Sequence, residues 1–175
     1  MAWTAPRTWT DGELVTKAIM DVHVRDNLNA IGARFHIRKT ADQSVTSSTV
    51  LVNDTHLSFA IAASEIWAVE VRLYYTSGTT GDIKIAWAVP AGATGRHSAL
   101  GQNTAISAFD HTYNATLTTA IPLGGGASGQ GANHYATIVN AGTAGTVQWQ
   151  WAQNVSDGTA TTVLTNSLLI AEKIA

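Results

Sequence analysis

Two-residue alternation of apolar and polar side chains is the feature that most limits how this chain can fold. Trp67, Val69, Val71 and Leu73 alternate with Ala68, Glu70, Arg72 and Tyr74; Ile83, Ile85, Trp87 and Val89 alternate with Asp82, Lys84, Ala86 and Ala88. Val147, Trp149 and Trp151 repeat the pattern around Gln148 and Gln150. A period of two puts one set on each face of a strand, the signature of a half-buried sheet. Shorter strands are expected at 48–52, 56–61 and 135–140, and a last one over 161–174 with Val163, Thr165, Ser167 and Leu169 on one face. Its other face would carry Leu164, Leu168 and Ile170. Gly- and Asn-rich turns such as 77–81 and 90–92 separate them, with no helical pattern between. Residues 94–119 have weak periodicity and read as a long connection with short strands. The expected fold is mainly β, an antiparallel sandwich or jelly roll of about eight strands.

Residues 1–39 do not share this pattern. They hold ten of the chain's 22 formally charged residues (10 basic, 12 acidic), whereas between His97 and Ala171 only Asp110 and Asp157 are charged. The expected division is therefore an N-terminal arm and helix over 1–39 and a β-sandwich domain over 40–175. Trp3, Pro6 and Trp9 mark an extended arm, because proline fixes φ and removes a donor. Thr10-Asp11-Gly12-Glu13 fits a capping box, and helical pattern runs from there to about Phe35. It carries two apolar stripes. Val15, Ile19 and Val22 form one; Val24, Leu28, Ile31 and Phe35 form another, nearly opposite at about 100° per residue. A continuous α-helix would thus be apolar on different faces at its two ends. Either it breaks near His23 or its halves meet different neighbours. These ten residues are the expected attachment and oligomerisation contacts.

Composition narrows the partners. Charged residues make up 13% of the chain, about half the usual ~25%, which fits a surface lying partly in subunit contacts, where charge is depleted. A net charge of −2 without a basic tract argues against nucleic acid. The absence of cysteine excludes disulfides and thiolate chemistry. The opening residues lack the basic and apolar regions of a signal peptide, and no apolar run approaches the ~18 residues of a membrane span.

Catalytic motifs are not found. The run Leu123 to Gly131 resembles a phosphate loop only superficially, lacking the Gly-Lys-Ser/Thr ending and a following helix; a flexible loop is expected. His23, His36, His56, His97, His111 and His134 are scattered. Asp54/His56 and Asp110/His111 are close acid–histidine pairs without a third ligand, so surface roles are expected and no metal or cofactor. No Gly-x-Ser-x-Gly elbow occurs, and Asp54, Glu65, Glu70, Asp82, Asp110 and Asp157 suggest no paired catalytic carboxylates. Trp67, Trp87, Trp149 and Trp151 lie in phase on strands and read as core or inter-subunit packing. Tyr113 and Tyr135, in or near polar loops, are the candidate outward ligand contacts.

The segment Trp3-Thr4-Ala5-Pro6-Arg7-Thr8-Trp9-Thr10-Asp11-Gly12-Glu13, leading into Met20-Asp21-Val22-His23-Val24-Arg25-Asp26-Asn27-Leu28, resembles an N-terminal segment of small structural proteins of tailed bacteriophages. The β-part, with Asn53-Asp54 before Leu57 and Asp82-Ile83-Lys84 before Pro90-Ala91-Gly92, looks like the sandwich often joined to it. The resemblance implies a non-enzymatic virion protein, assembled in the host cytoplasm, trimeric and attached by its N-terminal segment. A tail or fibre-type part is expected first, with loops such as 93–103 and 124–133 presented outward. A capsid decoration protein that stabilises the head is the alternative, and a carbohydrate-binding module the second. The implied partners are itself, as a homotrimer, a tail, baseplate or major capsid protein, and a host-surface glycan.

Overall fold

The computed structural model describes residues 4, 5, 7–31 and 34–175. Among the described residues twelve strands form two antiparallel sheets, against the eight expected: Gln43–Val45, Ile121–Leu123 and Thr161–Val163 are only three residues long, and Arg34–Arg38 lies in the segment expected to be helical. In the larger sheet β1 (Arg34–Arg38), β12 (Leu168–Lys173), β4 (Ile66–Thr76), β9 (Gln130–Val139), β6 (Thr94–Gln102) and β7 (Phe109–Asn114) lie side by side in that order. β2 (Gln43–Val45) and β11 (Thr161–Val163) extend it beside β4. The smaller sheet runs β3 (Val52–Ile61), β10 (Gly145–Ala152), β5 (Ile83–Ala88) and β8 (Ile121–Leu123). The class is an antiparallel β-sandwich of jelly-roll type.

The core lies between the sheets and is built by the alternating residues. Trp67, Val69, Val71, Leu73 and Tyr75 face inward from β4, opposite Trp87, Trp149 and Trp151, which are fully buried. Removing a side chain of this size from water contributes on the order of 1.5–3 kcal/mol. A polar cluster is embedded there. The Trp149 indole N–H donates to His134 Nδ1 (3.0 Å); in the neutral ring Nε2 then carries the proton and donates to His97 Nδ1 (2.8 Å), with Trp87 Nε1 3.2 Å from the same Nε2. An imidazolium at His134 would also point an Nδ1 proton at the Trp149 donor. Burial, and then the neighbouring His97, hold His134 far below the ordinary histidine range, and burial lowers His97 as well.

Several elements differ from expectation. Residues 94–102 form a nine-residue strand within the large sheet, and 161–174 divides into β11 and β12 around Asn166, whose φ is +68°. Arg34–Arg38 is a strand, not the end of the helix: it pairs with β12 from Arg34 opposite Glu172 to Arg38 opposite Leu168. Phe35 accordingly stacks on Trp67 (5.4 Å between centroids) at the edge of the core. The first two glycines of the glycine run are closely packed. Gly125 N–H donates to Asp82 Oδ1 (2.8 Å), Gly124 N–H to the Gln102 carbonyl (2.7 Å), and a Cβ on Gly125 would lie 2.4 Å from Ser77 Cβ. Among the described residues no helix is long and apolar enough to cross a membrane.

Candidate interaction surfaces

The N-terminal segment folds on itself. Thr10 and Glu13 do bond reciprocally, with Glu13 N–H donating to Thr10 O (3.1 Å) and Thr10 N–H to Glu13 Oε2 (3.5 Å). They close a turn through Gly12, in the left-handed region at φ +78°, and do not begin the helix. The helix begins at Lys17, capped by Thr16 Oγ1, which accepts the Ile19 N–H (3.3 Å). α1 (Lys17–Met20) passes through a π-helical turn, Asp21–Arg25, into α2 (Asp26–Ile31). The Asp26 N–H reaches back five residues to Asp21 O. The wide turn lies where the two apolar stripes change phase, so the helical run is re-wound there without a break. Asn27 holds the arm: its Oδ1 accepts the Thr4 N–H (2.9 Å) and its Nδ2 donates to Thr4 O (3.0 Å). Arg7 pairs with Glu13 and lies over the Trp9 ring at 5.1 Å.

This segment leaves its apolar residues uncovered. Leu14 is 80% exposed and Leu28 61%, and Trp9, Val15, Val22 and Val24 are also exposed. Ile19 is half-buried, and Phe35 belongs to the sandwich. Trp3, Pro6 and the Ile31 side chain lie outside the described residues. None of the described residues of the segment enters the sandwich core.

The second surface is the outer face of the large sheet. Antiparallel register sets its side chains in rows. One row runs His36, Ile170, Glu70, Tyr135, Ser98, Tyr113 across six strands. The next runs Arg34, Glu172, Ala68, Thr137, Arg96. Tyr113 and Tyr135 thus flank the small Ser98, and the Arg96 guanidinium donates to Tyr113 Oη while lying over its ring at 5.6 Å. Together with Glu70 and Glu172 they line an open depression of ≈ 380 Å³. Glu70 accepts from Arg72 Nε (2.9 Å). Both predicted tyrosines therefore come together at one place, on strands and not in loops. Arg96, Ser98 and Glu172 were missed. Strand β6, which holds Arg96 and Ser98, carries His97, Ala99 and Gly101 inward, so it shows no apolar alternation.

The other candidates are structural. Asp54 forms a fully buried ion pair with Lys39 (2.7 Å) and accepts the N–H groups of His56 and Leu57 (2.9 and 3.0 Å). His56 bonds Thr40 and Thr55, each at 2.8 Å, and Asp110 Oδ1 accepts the backbone N–H of its neighbour His111 (2.7 Å). Among the described residues no group of three or more His, Asp or Glu is placed to hold a metal.

The architecture defines the class as a jelly-roll sandwich with a separate helical segment at its N-terminal side. No protein-family model matches the chain, and no curated protein does. Solved structures offer distant likenesses. A chain of the tripod from the baseplate of bacteriophage Tuc2009 aligns over 98% of this chain and 76% of its own, at 13% identity and a TM-score of 0.32. Eiger TNF from S. frugiperda aligns over 81% and 92%, at 12% identity and 0.38. The VP2 subviral particle of infectious bursal disease virus aligns over 80% and 40%, at 11% identity and 0.20. Similarity at this level bears on neither activity nor partners.

Proposed function

We propose that this chain is a non-enzymatic structural component of a bacteriophage virion that docks through residues 4–31 and carries a self-associating, trimeric sandwich, as a tail or fibre-type part. The observation that carries the reading is the N-terminal segment. It is folded and held by Asn27, Arg7 and Glu13, yet presents Leu14, Val15 and Leu28 to solvent instead of to its own sandwich. Exposed apolar side chains grouped on one element mark an interaction site. The same segment is the part whose sequence resembles phage structural proteins. Immunogold labelling of purified particles with antibodies to the sandwich tests this, and labelling at the tail rather than the head separates a fibre-type part from a capsid decoration protein. A full-length Leu28→Asp chain is expected to be missing from particles while remaining folded. Particles without any copy of the protein would refute the proposal. The depression at Tyr113, Tyr135 and Arg96 supports a second reading, a carbohydrate-binding module, for which glycan binding by the isolated chain is the test.

A further inference from the structure

The two outer faces of the sandwich differ in kind. The small sheet exposes Ala60, Thr146, Gln150 and Pro122, small or amide-bearing groups. The large sheet exposes Tyr74, Leu100, Phe109, Tyr113 and Tyr135, with arginines among them. Tyr, Phe and Arg are the residues enriched in protein interfaces. The outer face spans six strands, about 24 Å, and about 30 Å along nine residues, giving about 700 Å². Taken whole, in a two-fold pair, that is close to the ~800 Å² each partner contributes to a standard interface; shared between the two neighbours of a larger ring it is about half that on each side.

The charges on this face identify the partner. Arg96 on β6, Glu172 on β12 and Arg34 beside it on β1 have no ion-pair partner among the described residues, and all three lie on one row. The six-strand order β1-β12-β4-β9-β6-β7 has its midpoint between β4 and β9. Rotation of one copy onto another about an axis parallel to the strands therefore brings β12 against β6 with the rows preserved. Glu172 then meets Arg96 of the next copy, and on the row four residues away Leu168 meets Leu100. Opposite charges and apolar groups fall opposite one another.

We infer that the outer face of the large sheet is where copies of this chain associate, the β1–β12 side of one copy packing on the β6–β7 side of the next in a closed cyclic oligomer. The depression between Tyr113 and Tyr135 is then filled by a neighbouring copy and not by a glycan. This deepens the proposed function by naming the surface of self-association, and it is read on the purified chain without any virion.

The experiment is the solution mass of the full chain by light scattering over a concentration series. Arg96→Glu and Glu172→Arg, made singly, should each weaken association by at least about tenfold; together in one chain they should restore it. Leu100→Asp should give a monomer with an unchanged circular dichroism spectrum. Should that variant unfold, the charge-swap pair still decides, because both positions are on the surface. Leu28→Asp should leave the mass unchanged. A monomeric parent chain overturns the inference, as does a swapped double variant no better than the single ones. Dissociation by Leu28→Asp alone would move association to the helix and overturn it too. Absence of the unsubstituted chain from virions, with its oligomer intact, would refute the docking proposal only.

Discussion

Lys39 and Asp54 offer a quantitative test of how this sandwich is held. Both side chains are fully buried, with Nζ 2.7 Å from Oδ2. At an effective dielectric of about 20 their attraction is about 6 kcal/mol. Removing two ions from water opposes it by several kcal/mol each, so the net contribution of the pair is near zero. Deleting one partner is a different perturbation. Lys39→Met leaves a buried carboxylate facing only the His56 and Leu57 N–H groups, and should lower unfolding free energy by about 4 kcal/mol. Asp54→Leu leaves the ammonium with Gln43 (3.3 Å) and Thr55 (3.5 Å), and orphans two backbone donors, for about 5 kcal/mol. The double variant leaves no unpaired buried charge and orphans only those donors, which sets its cost at about 2–3 kcal/mol. Urea unfolding at neutral pH should therefore give a coupling of about 6 kcal/mol between the two sites. Single variants within about 1 kcal/mol of the parent, or losses that simply add, would refute the reasoning.

Three further outcomes follow from the geometry. Because burial lowers the folded-state pKa of His97 and His134, the unfolded chain takes up their protons first; stability is complete above about pH 6.5 and falls as the pH drops through it, by up to about 1.4 kcal/mol per unit for each histidine. Urea midpoints measured from neutral to mildly acidic pH check this, and a flat profile would contradict it. Gly125→Ala, whose Cβ meets Ser77, should cost about 3 kcal/mol in thermal melts; Gly142→Ala, with nothing within 4 Å, should stay within about 0.5 kcal/mol. Asn27→Ala removes both bonds to Thr4, so hydrogen exchange at the Thr4 amide should accelerate by at least about tenfold with the sandwich midpoint unchanged.

What was legible in the sequence depended on the size of the inward residue. Strands β4, β5 and β10 announce themselves because Trp, Val, Ile, Leu and Tyr occupy nearly every inward position. Strand β6 does not, since His97, Ala99 and Gly101 face inward there; its outward Arg96 and Ser98, half of the depression around Tyr113 and Tyr135, were hidden with it. Phe35 satisfies two patterns at once, a helical step from Ile31 and alternation with Ile37, and pairing with β12, distant in sequence, decided between them. The change of stripe phase near His23 was visible, but its resolution as a π-helical turn depends on backbone bonding that periodicity does not encode. The Lys39–Asp54 pair was invisible because a charge reads as surface until its partner, fifteen residues away, is brought beside it. The glycine run read as flexible, whereas at Gly124 and Gly125 the Asn103 backbone and Ser77 leave no room for a Cβ.

The pairing of β1 with β12 also settles how a pull on the N-terminal segment would enter the sandwich. Residue 34 lies at the end of the sheet from which that segment departs, opposite Glu172, while Arg38 and the Lys39 anchor lie further along the strand. A load drawing the segment away along the strand axis acts parallel to β1, so all five register pairs from Arg34 to Arg38 resist together and no single one opens first. Behind them, the buried ammonium acts as a stop. The attachment of β1 is thus a shear joint, the geometry in which a hydrogen-bonded ladder yields last.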